Sequence, residues 1–391
     1  MRRFAVTLAA LAALVLAPPA HAYEPLVAKQ VFEMGPYTTV GGATIPEVRI
    51  GWEAYGTLNE ARDNVILVTH FFSGTSHAAG RYVEGGPRGY WDAIIGSGKP
   101  LDTDRFYVVS SDTLVNLNTG DPNVTTTGPA SIDARTGEPY ALTFPIVTIR
   151  DFVEVQKALL ESLGIERLYA VMGASMGALQ ALEWASAHPD RVERVIPVIG
   201  AGEADAFLIG WLNAWAAPIR LDPNWQGGDY YGGEPPLDGL AEALKLVTLQ
   251  ANHGKWADLA FGRAWADEAV DPASALDARF RFEAVLDQVA RSRAAVSDAN
   301  HFLYLVKANQ LFRAGQRATL AEGLGRIEAK TLLLYSPDDL VFGADQVRAT
   351  ATLIGADGTP VLTHPLAGRR GHLDGVLNIR QAEAELRAFL D

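Results

Sequence analysis

Residues Gly173-Ala174-Ser175-Met176-Gly177 match the G-x-S-x-G pattern of a nucleophile elbow. A serine hydroxyl attacks poorly until a neighbouring base takes its proton, so the pattern has meaning only if the chain also supplies a base and a place for developing negative charge. Local context supports it. The apolar run Leu168-Tyr169-Ala170-Val171 ends just before the motif, and the helix-forming run Ala178-Leu179-Gln180-Ala181-Leu182 starts just after it. In that strand–turn–helix setting the serine occupies a strained turn, and Gly173 and Gly177 leave room for neighbouring strands. The helix N-terminus then offers the Met176 amide to an oxyanion. An ordinary serine in a tight turn is the competing interpretation, and the flanking elements argue against it.

A base must reach Ser175, and a carboxylate must orient that base. Where this elbow occurs, the chain order is serine, acid, histidine. The run Thr331-Leu332-Leu333-Leu334-Tyr335 leads into Ser336-Pro337-Asp338-Asp339, which puts a carboxylate at the carboxyl edge of a sheet. Asp339 is preferred, with Asp338 as its alternative. After one more helix and strand comes Gly371-His372, and His372 is the candidate base. His188, at the end of the helix after the elbow, and His364, before Pro365 in a strand, read as structural. The run Val65-Ile66-Leu67-Val68 enters Thr69-His70-Phe71-Phe72-Ser73-Gly74, where the second oxyanion donor belongs. The amide of Phe72 is nominated for that role, and His70 reads as a buried residue that shapes the loop.

These residues need a frame to hold them. Apolar runs at 65–68, 106–109, 168–171, 195–199 and 331–334 suit strands buried on both faces. Between the second and third, Ile149, Phe152, Val153, Gln156, Leu159, Leu160 and Leu163 fall at helical spacing, and Thr148 with Asp151 forms an N-terminal capping pattern. Strand, helix, strand at this spacing predicts a mostly parallel, doubly wound α/β sheet. Residues 47–55 alternate and predict an antiparallel edge. Between Glu203 and Gly315 no long β-branched run occurs, and five of the eight tryptophans gather there: Trp211, Trp215, Trp225, Trp256 and Trp265. We expect a helical lid over residues 203–315, inserted into a core of residues 23–202 and 316–391. A plain helical subdomain core explains the tryptophans equally well.

Composition narrows the functions. The 391 residues are 48% apolar and 20% charged, which suits a globular core and excludes an acidic disordered chain. With no cysteine there are no disulfides, thiolate zinc sites or cysteine nucleophiles. No metal-spaced histidine cluster appears, and the chemistry calls for no metal and no cofactor. Gly96-Ser97-Gly98-Lys99-Pro100 resembles a phosphate loop only faintly, because Pro100 stands where Ser or Thr is required.

Arg2 and Arg3, an apolar stretch from Phe4 to Ala17 and Ala20-His21-Ala22 form a secretory leader, residues 1–22, with cleavage after Ala22. The stretch falls short of the ~20 residues that span a bilayer. Loss of the two arginines takes the formal charge from −13 to −15 (−13 − 2). Such a surface repels phosphate backbones, so nucleic acid is excluded as a partner. The expected location is periplasmic or secreted, with no membrane span after cleavage.

Several stretches together resemble the homoserine O-acetyltransferase family of α/β-hydrolase fold enzymes. They include Thr69–Gly74, Trp91-Asp92, Ile95–Arg105, Thr127-Gly128-Pro129, Phe144–Asp151, Ala181–Ala185, Asp222–Trp225, Phe261-Gly262-Arg263, Asp339–Phe342 and Gly371-His372. The resemblance implies an α/β-hydrolase fold, Ser175, Asp339 and His372 as a catalytic triad, a helical lid, and a homodimer through that lid.

Three features depart from the family. Its lid helix carries a Gly-Leu-x-x-Ala-Arg pattern whose arginine holds an amino-acid carboxylate, whereas Gly239–Leu244 ends in leucine here. Lys245 is rotated by about 100° from that position and does not replace it. The loop that usually carries Gly-Gly-Cys reads Leu114–Gly120, and the leader sends the chain away from cytoplasmic acetyl-CoA. The expectation is an exported serine ester hydrolase acting on a small ester. The alternative is a homoserine O-acetyltransferase or a related O-acyltransferase, and a catalytically silent binding protein is the third reading.

Overall fold

The computed structural model describes residues 25–391, so the leader of residues 1–22 and its cleavage point lie outside the described residues. The chain opens with β1 (Gln30–Met34), a small antiparallel pair of β2 (Tyr37–Thr38) and β3 (Thr44–Ile45), and β4 (Val48–Tyr55). There follow β5 (Val65–Thr69), β6 (Tyr107–Ser111), α1 (Ile149–Ser162), β7 (Ala170–Ala174), α2 (Met176–Ala187) and β8 (Arg194–Val198). A helical stretch comes next: α3 (Ala206–Leu221), α4 (Leu237–Ala251), α5 (Gly254–Ala260), α6 (Arg281–Ala294) and α7 (Ala299–Gln310). After the short α8 (Leu320–Leu324) the sheet resumes with β9 (Lys330–Tyr335), α9 (Ala344–Gly355) and β10 (Val361–Pro365), and α10 (Asp374–Leu377) and α11 (Glu383–Leu390) close the chain.

Eight strands form one sheet in the order β1-β4-β6-β5-β7-β8-β9-β10. β4 runs antiparallel to both β1 and β6, and the strands from β6 to β10 are parallel. The edge lies one strand further out than residues 47–55, because β1 covers β4. Gln30–Met34 has no apolar run and is mostly solvent-facing, which hides it from hydrophobic patterning.

Both faces of the sheet are covered, and β5 shows it. Val65 and Leu67 point into the core beneath α1 and α2, while Ile66 and Val68 join Trp91, Ile94, Leu386 and Leu390 on the other face. That two-sided burial explains its unbroken apolar sequence. α1 begins at the expected capping box, with Thr148 and Asp151 each bonding the other's backbone. α2 is buried almost all round, which its alanine- and leucine-rich sequence allows.

Register aligns the carboxyl ends of the central strands. Thr69 at the end of β5 lies beside Ser111 of β6 and Gly173 of β7, and Val198 of β8 lies beside Ala174 and Leu334. Loops leaving this edge converge, as they do where open α/β sheets bind ligands. The helical stretch starts and ends at one place: Ala204 N–H donates to Phe312 C=O, and Ala314 N–H donates to Gly202 C=O. Within it α3 packs on α4 and α7, and α4 packs on α6. No helix among the described residues is long and apolar enough to cross a membrane.

Candidate active site

Ser175 adopts φ 56° and ψ −120°, a region that L side chains rarely enter and that costs roughly 1–3 kcal/mol. Its amide is held by Val198 C=O at 2.9 Å, which ties the turn to β8. Packing around the turn explains both glycines. A Cβ on Gly173 would lie 2.0 Å from Thr69 Oγ1, and one on Gly177 would lie 2.1 Å from the Thr69 carbonyl oxygen. The Thr69 hydroxyl donates to Gly177 C=O at 2.8 Å and locks β5 to the elbow. Serine at a helix N-cap usually bonds its own helix, but the Ser175 side chain makes no such bond.

Its hydroxyl turns instead to His372 Nε2, 2.8 Å away. His372 Nδ1 lies 2.8 Å from Asp339 Oδ2. Asp339 Oδ1 accepts the amides of Val341 at 2.7 Å and Phe342 at 3.0 Å, so the carboxylate is fixed with one oxygen left for the imidazole. Such acceptor bonds require Nδ1 to carry the ring proton, which leaves Nε2 free to accept from Ser175. Both side chains are buried. Asp338 points elsewhere: it pairs with Lys255 at 2.6 Å on the surface. Its carbonyl matters more than its carboxylate, since a Cβ on Gly371, at φ +64°, would lie 2.6 Å from it. His188 bonds Glu154, His364 faces Glu385, and neither lines the cavity above Ser175.

The loop after β5 is held by a polar chain. His70 is fully buried; its Nδ1 donates to Phe71 C=O at 2.8 Å, and its Nε2 accepts from Asn116 Nδ2 at 3.2 Å. Burial pulls its pKa down to about 4, so the ring is neutral and structural. Asn116 also donates to Gly74 C=O, and Asn118 to Ser73 C=O. The rewritten loop Leu114–Gly120 is therefore a brace for Thr69–Gly74, a role that sequence alone did not reveal. Gln180 of α2 bonds His70 C=O from below at 3.2 Å. Phe72, held edge-on against Trp215 and Phe302, is brought to the same cavity as Ser175, and Met176 starts α2 with an amide that has no partner within its helix.

A cavity of about 380 Å³ opens above Ser175 and His372. Its wall is mostly apolar: Phe71 and Phe72 from the β5 loop, Trp215 from α3, Val247 and Ala251 from α4, Trp256 from α5, and Phe282, Leu286 and Val289 from α6. Of the five tryptophans, Trp215 and Trp256 reach it, while Trp225 donates to Asn300 and Trp265 is exposed. Leu244 is fully buried in the helical layer, and Lys245 is tied outside to Glu242 and Asp287. Two arginines that sequence analysis did not single out, Arg293 and Arg370, also line the cavity. Gly98-Lys99 is a self-contained turn, with Gly98 N–H on Asp102 and the buried Lys99 beside Asp92. Among the described residues no group of three or more His, Asp or Glu is placed to hold a metal ion.

Comparison with known proteins agrees with this fold. Residues 82–358 match the family described as alpha/beta hydrolase fold. The chain belongs to the α/β-hydrolase family. Among relatives of this α/β-hydrolase is a homoserine O-acetyltransferase of Symbiobacterium thermophilum, 37% identical over 91% of this chain and 92% of its own length. A crystal structure of esterase E22 is 49% identical with a TM-score of 0.90, covering 94% of this chain and 100% of that one. The homoserine O-acetyltransferase of Bacillus anthracis is 35% identical, also with a TM-score of 0.90, covering 94% and 98%. This α/β-hydrolase is accordingly an enzyme, within a group that holds both acyl-transferring and hydrolytic members.

Proposed function

We propose that this α/β-hydrolase is an exported carboxylic ester hydrolase that works through an acyl-Ser175 intermediate. The observation that carries the reading is the unbroken chain from Asp339 through His372 to Ser175, at 2.8 Å for each step, on the floor of an apolar cavity. His372 Nε2 takes the hydroxyl proton as Ser175 Oγ bonds to the ester carbonyl carbon, and the carbonyl π electrons move onto oxygen. The amides of Phe72 and Met176 hold that oxyanion. Collapse restores the carbonyl and breaks the bond to the alcohol oxygen, which leaves with the proton from His372. Water then gives a proton to His372 and attacks the acyl carbon, and the second collapse frees the carboxylic acid and returns the proton to Ser175. Asp339 stays ionised throughout and stabilises the imidazolium.

Hydrolysis is favoured over transfer by the buried leucine at 244, by the leader pattern in residues 1–22, and by the likeness to esterase E22. The second reading, O-acetyl transfer to homoserine, draws on the likeness to homoserine O-acetyltransferases. A homodimer through the helical lid belongs to either reading, with Phe207 and Leu221 exposed on α3. The test is turnover of short-chain p-nitrophenyl esters beside homoserine with acetyl-CoA, in the mature chain and in Ser175→Ala. Ester hydrolysis that vanishes in the alanine variant supports the proposal. O-acetylhomoserine formed faster than acetate overturns it in favour of transfer.

A further inference from the structure

The cavity above Ser175 carries a charge imbalance that ester cleavage by itself leaves unexplained. Arg293 and Arg370 line it, and among the described residues no aspartate or glutamate does. Arg370 is in use: its guanidinium sits 4.6 Å over the Trp256 ring and reaches Asn252. Arg293 is the odd one. On α6 the cavity-facing positions are Phe282, Val285, Leu286 and Val289, and the helical period brings the next turn round at 293. That pattern calls for another apolar side chain, and a guanidinium stands there. It donates from Nη1 to Thr248 Oγ1 at 3.0 Å, and burial alone, with no carboxylate acting on it, draws its pKa below the usual arginine value.

A partly buried cation without a counter-ion is costly, and breaks in apolar pattern of this kind persist at functional sites. We propose that Arg293 docks a carboxylate of the substrate, so that the site takes esters bearing a free carboxylate and no ammonium group. This rests on the ester hydrolase reading and names its substrate class. The planar guanidinium suits a carboxylate through two parallel N–H bonds, and Thr248, which lines the same cavity, accepts from only one of its nitrogens. An amino-acid ester brings an ammonium as well, and the cavity wall has cations but no acid to receive it.

The test compares matched esters of one length. Butyl acetate, 4-acetoxybutanoate and O-acetylhomoserine vary the alcohol side, and ethyl hexanoate with monoethyl adipate varies the acyl side. In at least one pair the carboxylate-bearing ester should exceed its neutral partner by roughly tenfold or more in kcat/KM, chiefly through KM. O-acetylhomoserine should fall below 4-acetoxybutanoate. Arg293→Met should remove the preference and Arg293→Lys should keep part of it. If the methionine variant does not fold, the wild-type preference and the lysine variant carry the test. Neutral esters cleaved as well as both carboxylate esters, with Ser175→Ala silent, would overturn the Arg293 inference and leave the hydrolase reading standing. If no ester is cleaved, the hydrolase reading falls. The carboxylate site is then read by thermal shift: stabilisation by monoethyl adipate, lost in Arg293→Met, supports it, and no stabilisation overturns it.

Discussion

Ser175 has two possible partners for its hydroxyl, the free amides at the head of α2 and the imidazole of His372, and the positive φ at the turn decides between them. Turned away from its own helix, the hydroxyl meets an imidazole whose far nitrogen is pinned by Asp339. Asp339→Asn should preserve the fold and lower ester turnover by roughly 10³- to 10⁴-fold, because the amide no longer enforces the tautomer that leaves Nε2 free to accept. Asp338→Asn loses only an exposed pair with Lys255 and should stay within about threefold of wild type. Comparable losses in both variants would contradict this division. Chain order and the strand end before them made these two aspartates visible in sequence. Only three dimensions choose between adjacent carboxylates, since one carboxylate is caught by the amides of Val341 and Phe342 and the other faces solvent.

At the scale of elements, the loop after β5 depends on a neutral buried imidazole. His70 titrates near 4 when folded because burial disfavours its charged form, against about 6.5 when unfolded. Between those values the unfolded chain binds a proton that the folded chain does not. Stability therefore falls as pH drops from about 6.5 to about 4, by roughly 3 kcal/mol at most, and this contribution levels off below. Melting temperature followed over that range should fall less steeply in His70→Asn than in wild type. Equal slopes would show that His70 does not set this pH dependence. The elements that this loop serves were largely legible: β5, β7, α1 and α2 announce themselves through two-sided apolar runs, helical spacing and a capping box. β1 was not, because its half-exposed residues carry no apolar period, and neither was the bracing role of Asn116, whose partners lie 46 and 42 residues away. Arg293 had a readable signal in hindsight, a charge on the apolar stripe of α6, but the stripe has meaning only once a cavity faces it.

At the scale of the whole molecule, an acidic chain with a leader-like start encloses an apolar cavity whose fixed charges are positive. Expressed with its leader in a bacterial host, the chain should be recovered outside the cytoplasm with Tyr23 as its first residue by intact mass and N-terminal sequencing. Full-length protein held in the cytoplasm would contradict export. The proposed hydrolysis turns on one covalent bond, between Ser175 Oγ and an acyl carbon. The most direct measurement is intact-mass and peptide mapping of the mature chain, quenched in acid during turnover of p-nitrophenyl acetate. A single acetyl adduct is expected on the peptide containing Ser175, absent from Ser175→Ala; turnover with the acetyl group on another residue, or with no adduct even after rapid quenching, would rule out acyl-Ser175.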